Sequence, residues 1–375
     1  MTFPTTMALF LNFADNHYKF FGENLLPLQR QCKEDESIDI EMYKRILYIF
    51  TAILLCCCMI QTTAAQERQQ VGGRDAGMGD DTSDTLVFTP QWTAQAQFAG
   101  YYAAKEKGFY DEMGLDVIIQ HPSLTSSASN RLKTDQCDAA MFSMMSAMDF
   151  IAQGTPLVNI FQDSMNSSNI LVSRWGADPS KMKGQRVGIF NSDPNYLTFI
   201  MSKKEGMNYE WVRFTSDINV FLSGAVDATM VVSYNEFCQL KQAGFNLPER
   251  SLYRFSDHDY NIQENGVYVK RQYYNTHRST VGKFAAASRR GWEWVAAHPD
   301  EALEIVMKYV RKNGIHTNRV MQKMMLEEVL RLQIDRESKR REFRVRADMV
   351  RKASKMMFEA GMLKREVTYK ELIGL

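Results

Sequence analysis

Thr85–Val117 reads TLVFTPQWTAQAQFAGYYAAKEKGFYDEMGLDV. Leu86, Val87 and Phe88 form a β-rich run that stops at Thr89-Pro90, because proline has no N–H to give to a ladder. Small residues and aromatics from Ala94 to Lys107 then fit a helix. Gly108 closes it, since glycine at C′ enters the left-handed conformation without a side-chain clash. Gly114 turns the chain into a second β run, Asp116–Ile119. Strand, helix, strand calls for a right-handed crossover and a parallel sheet. Trp92, Phe98, Tyr101 and Tyr102 lie at or just past the carboxyl end of the first strand, where open α/β sheets bind ligands.

The alternation continues outward from this unit. Strands are expected at Asp116–Gln120, Asp138–Ser143, Leu157–Gln162 and Asn169–Ser173, with helices at Ser126–Lys133 and Met144–Ala152. Trp175–Lys183 is polar, with Gly and Pro, and reads as a boundary. A second α/β unit follows, with strands near Val187–Phe190, Trp211–Phe214, Thr229–Val232 and Leu252–Phe255. Val267–Lys270 reads as a return strand into the first unit. Thr280–Ala297, Pro299–Lys312, Thr317–Ile334 and Ala347–Ala360 carry apolar residues at helical spacing. Lobe one is therefore expected over 85–173 plus 268–375, and lobe two over 174–267. Two chain crossings would form a hinge. At 375 residues, 45% hydrophobic, the chain can supply a core to each lobe. A net charge of +1 gives no global field for nucleic acid. The basic run Arg336–Lys352 is interspersed with Glu and Asp and reads as a solvated helix face.

Trp92, then Gln97-Phe98, AGYYAAKEKGFY and Gly114-Leu-Asp-Val together resemble the opening of periplasmic solute-binding proteins. The type is the one serving ABC importers of thiamine precursors (pyrimidines), taurine, sulfonates and nitrate. The resemblance extends from about Thr85 to about Tyr309. It implies an α/β, two-lobed periplasmic-binding-protein fold of type II, with a hinge between two α/β lobes and a helical C-terminal part. It also implies a ligand trap that closes by hinge motion and hands its cargo to a membrane permease. The same module serves as a sensor domain in signalling proteins and, in fungi, as a pyrimidine synthase.

Met42 onward is expected to be an exported segment. Lys44 and Arg45 are basic, Ile46 to Ile60 is apolar, and Thr63-Ala64-Ala65 ends the run with small residues, which is the pattern of a signal peptide over 42–65. Residues 1–41 are then expected to be a non-native upstream extension, with the true start at Met42. Residues 66–84 read as a flexible lead-in. Cys56–Cys58 could be lipidated, although Ile53-Leu54-Leu55 lacks the small residues of a lipobox. Cleavage leaves Cys137 and Cys238, expected as buried thiols in different lobes. The location implied is the periplasm, and a monomer is expected.

Candidate ligand contacts are the side chains that follow strand ends in both lobes. From lobe one these are Trp92, Gln95, Phe98 and Tyr101 after the first strand, Ser143 and Met144 after the third, and Gln162 after the fourth. From lobe two they are Asn191, Ser192 and Asp193, then Ser233, Tyr234, Asn235 and Glu236, and Asp257. Aromatics would stack on a flat ring, and Glu236 could accept from an exocyclic amine. Core packing is the alternative for each aromatic. For Glu236 the alternative is a first-turn carboxylate favoured by the helix dipole. Tyr234-Asn235-Glu236 resembles the family's lobe-two motif, whose glutamate is a ligand contact in pyrimidine-binding members.

His121, His258, His277, His298 and His316 have no metal-ligand spacing, so no metal is expected. There is no G-x-S-x-G and no Walker loop. The synthases that share this module use a histidine where this chain has Phe98, and a lysine for pyridoxal phosphate where it has Phe142. They also carry a cysteine-rich iron motif, of which Asn261–Tyr268 has none. The expectation is a binding protein with no cofactor and no catalytic residue, taking a small planar nitrogenous ligand like a thiamine pyrimidine precursor. A ligand sensor of a signalling system is the alternative.

Overall fold

The structure, a computed structural model, describes residues 84–375 apart from 124, 175, 192–194 and 216–217. The expected extension, the signal peptide, the lead-in as far as residue 83, and Ser192 and Asp193 lie outside the described residues.

Among the described residues, ten strands form two five-stranded sheets with matching topology. In the first, β1 (Asp84–Thr89), β2 (Leu115–Ile119), β3 (Ala139–Ser143), β4 (Leu157–Gln162) and β10 (Asn265–Lys270) are ordered β2-β1-β3-β10-β4. In the second, β5 (Asn169–Ser173), β6 (Arg186–Phe190), β7 (Glu210–Phe214), β8 (Ala228–Val232) and β9 (Leu252–Arg254) are ordered β7-β6-β8-β5-β9. β1 runs parallel to β2 and β3, and β6 runs parallel to β7 and β8. The fourth strand of each sheet, β10 or β5, is antiparallel to both neighbours. Each of these two strands begins just after the chain crosses from the other sheet. The architecture is two mixed α/β lobes of the periplasmic-binding-protein type.

One strand is not where the sequence places it. Asn169–Ser173 was expected in lobe one, but Ile170, Leu171 and Val172 pair with Val231, Met230 and Thr229 of β8 in the second sheet. The chain crosses earlier, through Asp163–Ser168. A strand's own pattern of apolar residues does not say which sheet it joins. The polar run Ser164-Met-Asn-Ser-Ser was the boundary signal, not Trp175–Lys183. The expected helix Ala94–Lys107 also starts later. Gln95 is extended (φ −164°), a 3₁₀ turn covers Ala96–Phe98, and the α-helix proper is Ala99–Glu106.

Behind the first sheet the helices pack unusually closely. A Cβ added to Gly291, in the helix Arg278–Ala297, would lie 2.1 Å from the Gly100 carbonyl oxygen. One added to Gly100 would lie 2.2 Å from the Trp292 ring. Two glycines thus let the backbones touch, and Trp292, fully buried, fills the space beside them. Tyr101, Phe88 and Phe284 continue the same layer, with Tyr101 and Phe284 stacked at 6.2 Å. The helices Pro299–Lys312, Arg319–Leu332 and Ala347–Glu359 complete the helical C-terminal part. Pro299 opens the first of these, where its missing N–H would have had no partner.

The two crossings are tied to each other. Glu264, just before β10, is buried and accepts from Ser167 Oγ (2.5 Å), Ser168 N (2.9 Å), Ser168 Oγ (2.6 Å) and Asn169 Nδ2 (2.5 Å). Burial pushes its carboxyl above the usual range, and these donors oppose that shift. Asn261 adds a bond from Ser167 N at 2.9 Å. Among the described residues no helix is long and apolar enough to cross a membrane. Cys137 and Cys238 are free and buried.

Candidate ligand-binding cleft

A cleft of about 740 Å³ lies between the two sheets, at the carboxyl ends of their parallel strands. Because the sheets share one topology, β1 and β3 end on one wall and β6 and β8 on the other. The first wall carries Trp92 and Gln95 after β1, Ser143 at the end of β3, and Ser146, Asp149 and Phe150 from the helix Met144–Ala152. The second wall carries Phe190 and Asn191 after β6, Asn195 and Tyr196 at the next helix start, and Tyr234, Asn235 and Glu236 after β8.

Seven expected contacts therefore line one cavity: Trp92, Gln95, Ser143, Asn191, Tyr234, Asn235 and Glu236. Four do not. Phe98 is fully buried, edge-on to Tyr102 at 6.5 Å. Tyr101 is fully buried and donates to Asp163 at 2.9 Å. Both face the core because the helix turns them toward the sheet, as period 3.6 demands of a buried helix. Gln162 is buried at the crossing, donating to the Asn265 carbonyl at 2.9 Å and the Ser164 carbonyl at 3.1 Å. Asp257 lies outside the cleft, ion-paired with Arg336 at 2.9 Å. Its strand, β9, is a sheet edge away from the parallel strand ends.

Several contacts span the cleft. Trp92 meets Phe190 edge-on, with ring centroids 5.9 Å apart. Gln97 Nε2 donates to the Tyr234 hydroxyl at 3.1 Å, and Gln95 Nε2 donates to Gln97 at 2.7 Å. The Tyr196 hydroxyl donates to Asp149 Oδ2 at 2.8 Å. Ser143 is the N-cap of its helix, accepting from Ser146 N at 3.2 Å. Glu236 is buried. Its oxygens accept from Val232 N at 3.0 Å and Asn235 Nδ2 at 2.8 Å, so it fixes its own turn as well as facing the cavity.

Asp149 and Glu236 are the only charged side chains among the described lining residues. Asp149, Phe150, Phe190 and Tyr196 were not among the expected contacts. Ser143, Ser146, Asp149 and Phe150 recur at helical spacing, so once Ser143 was placed, the same face of its helix would have led to Asp149. Phe142 also lines the cleft and stacks on Tyr268 at 4.7 Å.

Several known proteins resemble the chain. A formylaminopyrimidine-binding protein from Halalkalibacterium halodurans is 24% identical over 61% of this chain and 71% of its own length. A 4-amino-5-hydroxymethyl-2-methylpyrimidine phosphate synthase from Candida albicans is 22% identical over 59% and 70%. A riboflavin-binding protein from Chloroflexus aurantiacus is 22% identical over 61% and 67%. Among solved structures, the alkanesulfonate-binding protein of Xanthomonas axonopodis pv. citri, bound to MOPS, aligns at TM-score 0.56 with 12% identity, over 78% of this chain and 99% of that one. The last likeness is one of fold. Residues 95–302, more than half of the sequence and the span that carries the named cleft lining except Trp92, match the NMT1/THI5 like family model, and the chain belongs to that family.

Proposed function

We propose that this protein is an extracytoplasmic solute-binding protein that captures a small, planar, nitrogen-rich ligand by hinge closure and delivers it to an ABC importer. The observation that carries the proposal is the make-up of the cleft. Trp92 and Phe190 supply aromatic surface from opposite walls, and the charged lining groups described are two carboxylates, one from each wall. A flat ring stacks on such surfaces, and its amines donate to Glu236 and Asp149. An anion such as a sulfonate or nitrate would enter beside two carboxylates, with no lysine or arginine among the described lining residues to offset them. The relatives named for formylaminopyrimidine, riboflavin and a pyrimidine phosphate all concern planar nitrogen heterocycles. A thiamine-precursor pyrimidine fits the same chemistry. Capture without conversion fits Phe98 and Phe142, which put inert rings where the synthases place reacting groups.

A thermal-shift screen tests the proposal with pyrimidines, riboflavin, simple amines, alkanesulfonates and nitrate. A ligand at about 100 times its Kd adds about 2.7 kcal/mol to stability, so a pyrimidine or flavin hit should raise Tm by several degrees. A shift with sulfonate or nitrate alone would overturn the ligand class. Delivery is tested by looking for an ABC permease gene beside this one and, where there is one, by pull-down of its product with the ligand-loaded protein; absence of any such permease would count against delivery.

A further inference from the structure

Behind the Trp92 wall lies a polar chain that capture does not otherwise use. His121 follows β2. Its Nδ1 is 2.6 Å from the Trp92 carbonyl oxygen, and its Nε2 is 2.9 Å from the Tyr102 hydroxyl. A carbonyl oxygen can only accept, so Nδ1 carries the hydrogen and donates it. In the neutral ring Nε2 is then the acceptor, and Tyr102 donates to it. Burial favours that neutral form, lowering the imidazole to about 4, while the bond to the Trp92 carbonyl opposes the shift. Burial pushes the Tyr102 phenol up, and the nearby Gln95 backbone N–H opposes that shift. The Tyr102 ring is fully buried and stacks on Tyr309 at 4.0 Å and 13°. Imidazole and phenol thus stand at the two ends of Trp92–Gln95. That turn supplies two lining side chains and has no helix or strand of its own before Ala96.

We propose that His121 is a positioning residue for the cleft: with Tyr102 behind it, it locks the Trp92–Gln95 turn so that the indole stands edge-on to Phe190 of the opposite wall. The inference rests on the reading of this cleft as the ligand site, but its first readout needs no ligand. A preorganised wall spares the ligand the entropy of ordering it. Loosening the wall should therefore show mainly in how fast ligand leaves.

The test uses the full chain labelled with 5-fluorotryptophan, whose Trp92 line in ¹⁹F NMR is assigned with Trp92→Phe. His121→Phe should shift or broaden the Trp92 line while the buried Trp292 line stays in place. His121→Asn, whose amide can still donate to the Trp92 carbonyl, should restore most of it. A sharp, unshifted Trp92 line in His121→Phe overturns the proposal. If His121→Phe also loses the Trp292 line, and so the fold, Tyr102→Phe replaces it: it removes only a hydroxyl, and an unmoved Trp92 line there overturns the proposal equally. With 4-amino-5-hydroxymethyl-2-methylpyrimidine as probe, dissociation should quicken about tenfold in His121→Phe and by no more than about threefold in His121→Asn. Equal dissociation rates in both would count against positioning. If the unmodified protein binds no pyrimidine, the ligand assignment falls, and the Trp92 line still decides the role of His121.

Discussion

The two walls of the cleft are held in different ways. The first wall stands on the closest approaches at any described glycine, where Gly100 and Gly291 bring two helix backbones into contact and Trp292, Phe284 and Tyr101 fill the layer behind. The second wall adds local bonds at its turns to the packing of its helices on the C-terminal ones: Asn195 Nδ2 reaches back to the Phe190 carbonyl at 2.8 Å, and Glu236 bonds Val232 N four residues earlier. Long-range core packing makes a wall that keeps its shape. Short-range bonds leave a turn able to adjust, because they travel with the turn when it moves. A trap built this way would set ligand shape on the first wall and close on it with the second.

The glycine pair offers the largest test of that contrast. Gly291→Val should cost about 3 kcal/mol or more, because no rotamer can avoid a backbone carbonyl 2.1 Å from Cβ, and the helices must separate. Gly244→Ala in the second lobe meets nothing within 4 Å and only forces a residue with a side chain to φ +82°, for about 1 kcal/mol. Urea unfolding of both variants gives the comparison. Equal losses would mean that the two lobes are alike in rigidity.

Ligand affinity should divide more evenly. Trp92→Ala and Glu236→Ala should each weaken binding by about 1–3 kcal/mol, by loss of aromatic contact in one and of a charged acceptor in the other. Titration calorimetry with the best ligand of the thermal screen measures both. Full affinity in both variants would place the ligand elsewhere.

A pH effect is expected from the crossing that joins the lobes. Burial raises Asp163 to about 7 from the ordinary 3.8, while hydrogen bonds from Gln333 and Tyr101 pull the other way. Between about pH 4 and 7 the folded state therefore holds a proton that the unfolded state has lost. Its contribution to stability is full below pH 4 and is lost as pH rises toward 7, by up to about 1.4 kcal/mol per pH unit. Asp163→Asn lowers stability overall, since one hydrogen-bond donor then faces an amide. Its diagnostic effect is to flatten the slope across that window in chemical denaturation. A slope unchanged by the substitution would remove Asp163 from the account.

Much of this was legible in the sequence, and the failures have physical causes. Strand and helix positions followed apolar spacing and glycine stops, so Met144–Ala152 and Pro299–Lys312 fall at the expected residues. The destination of β5 was not legible, because pairing partners are a long-range property. Trp92, in an irregular turn, reached the cleft, whereas Phe98 and Tyr101, a few residues on, were drawn into the core once the chain became helical. An aromatic near a strand end is thus a weaker signal when it also lies on the inner face of a helix. Asp149 was missed because it lies two turns into a helix rather than at a strand end.

Tyr196 and Asp149 supply the smallest expected effect and the most direct test of the second wall's mobility. Their 2.8 Å hydrogen bond joins the helix Tyr196–Lys204 of one lobe to the helix Met144–Ala152 of the other. A cleft that opens must break it, so it contributes only to the closed form. Tyr196→Phe removes one hydroxyl and keeps the ring, and should cost closure about 0.5–1.5 kcal/mol. The lobe cores are untouched, so Tm without ligand should barely change. The population of the closed form, followed by energy transfer between dyes on the two lobes, should fall several-fold, with ligand leaving faster and arriving at an unchanged rate. A slower arrival with unchanged departure would mean that Tyr196 shapes the entrance instead. No change in either would mean that the bond persists while the cleft opens, and that the second wall moves by bending within its lobe rather than by swinging on the hinge.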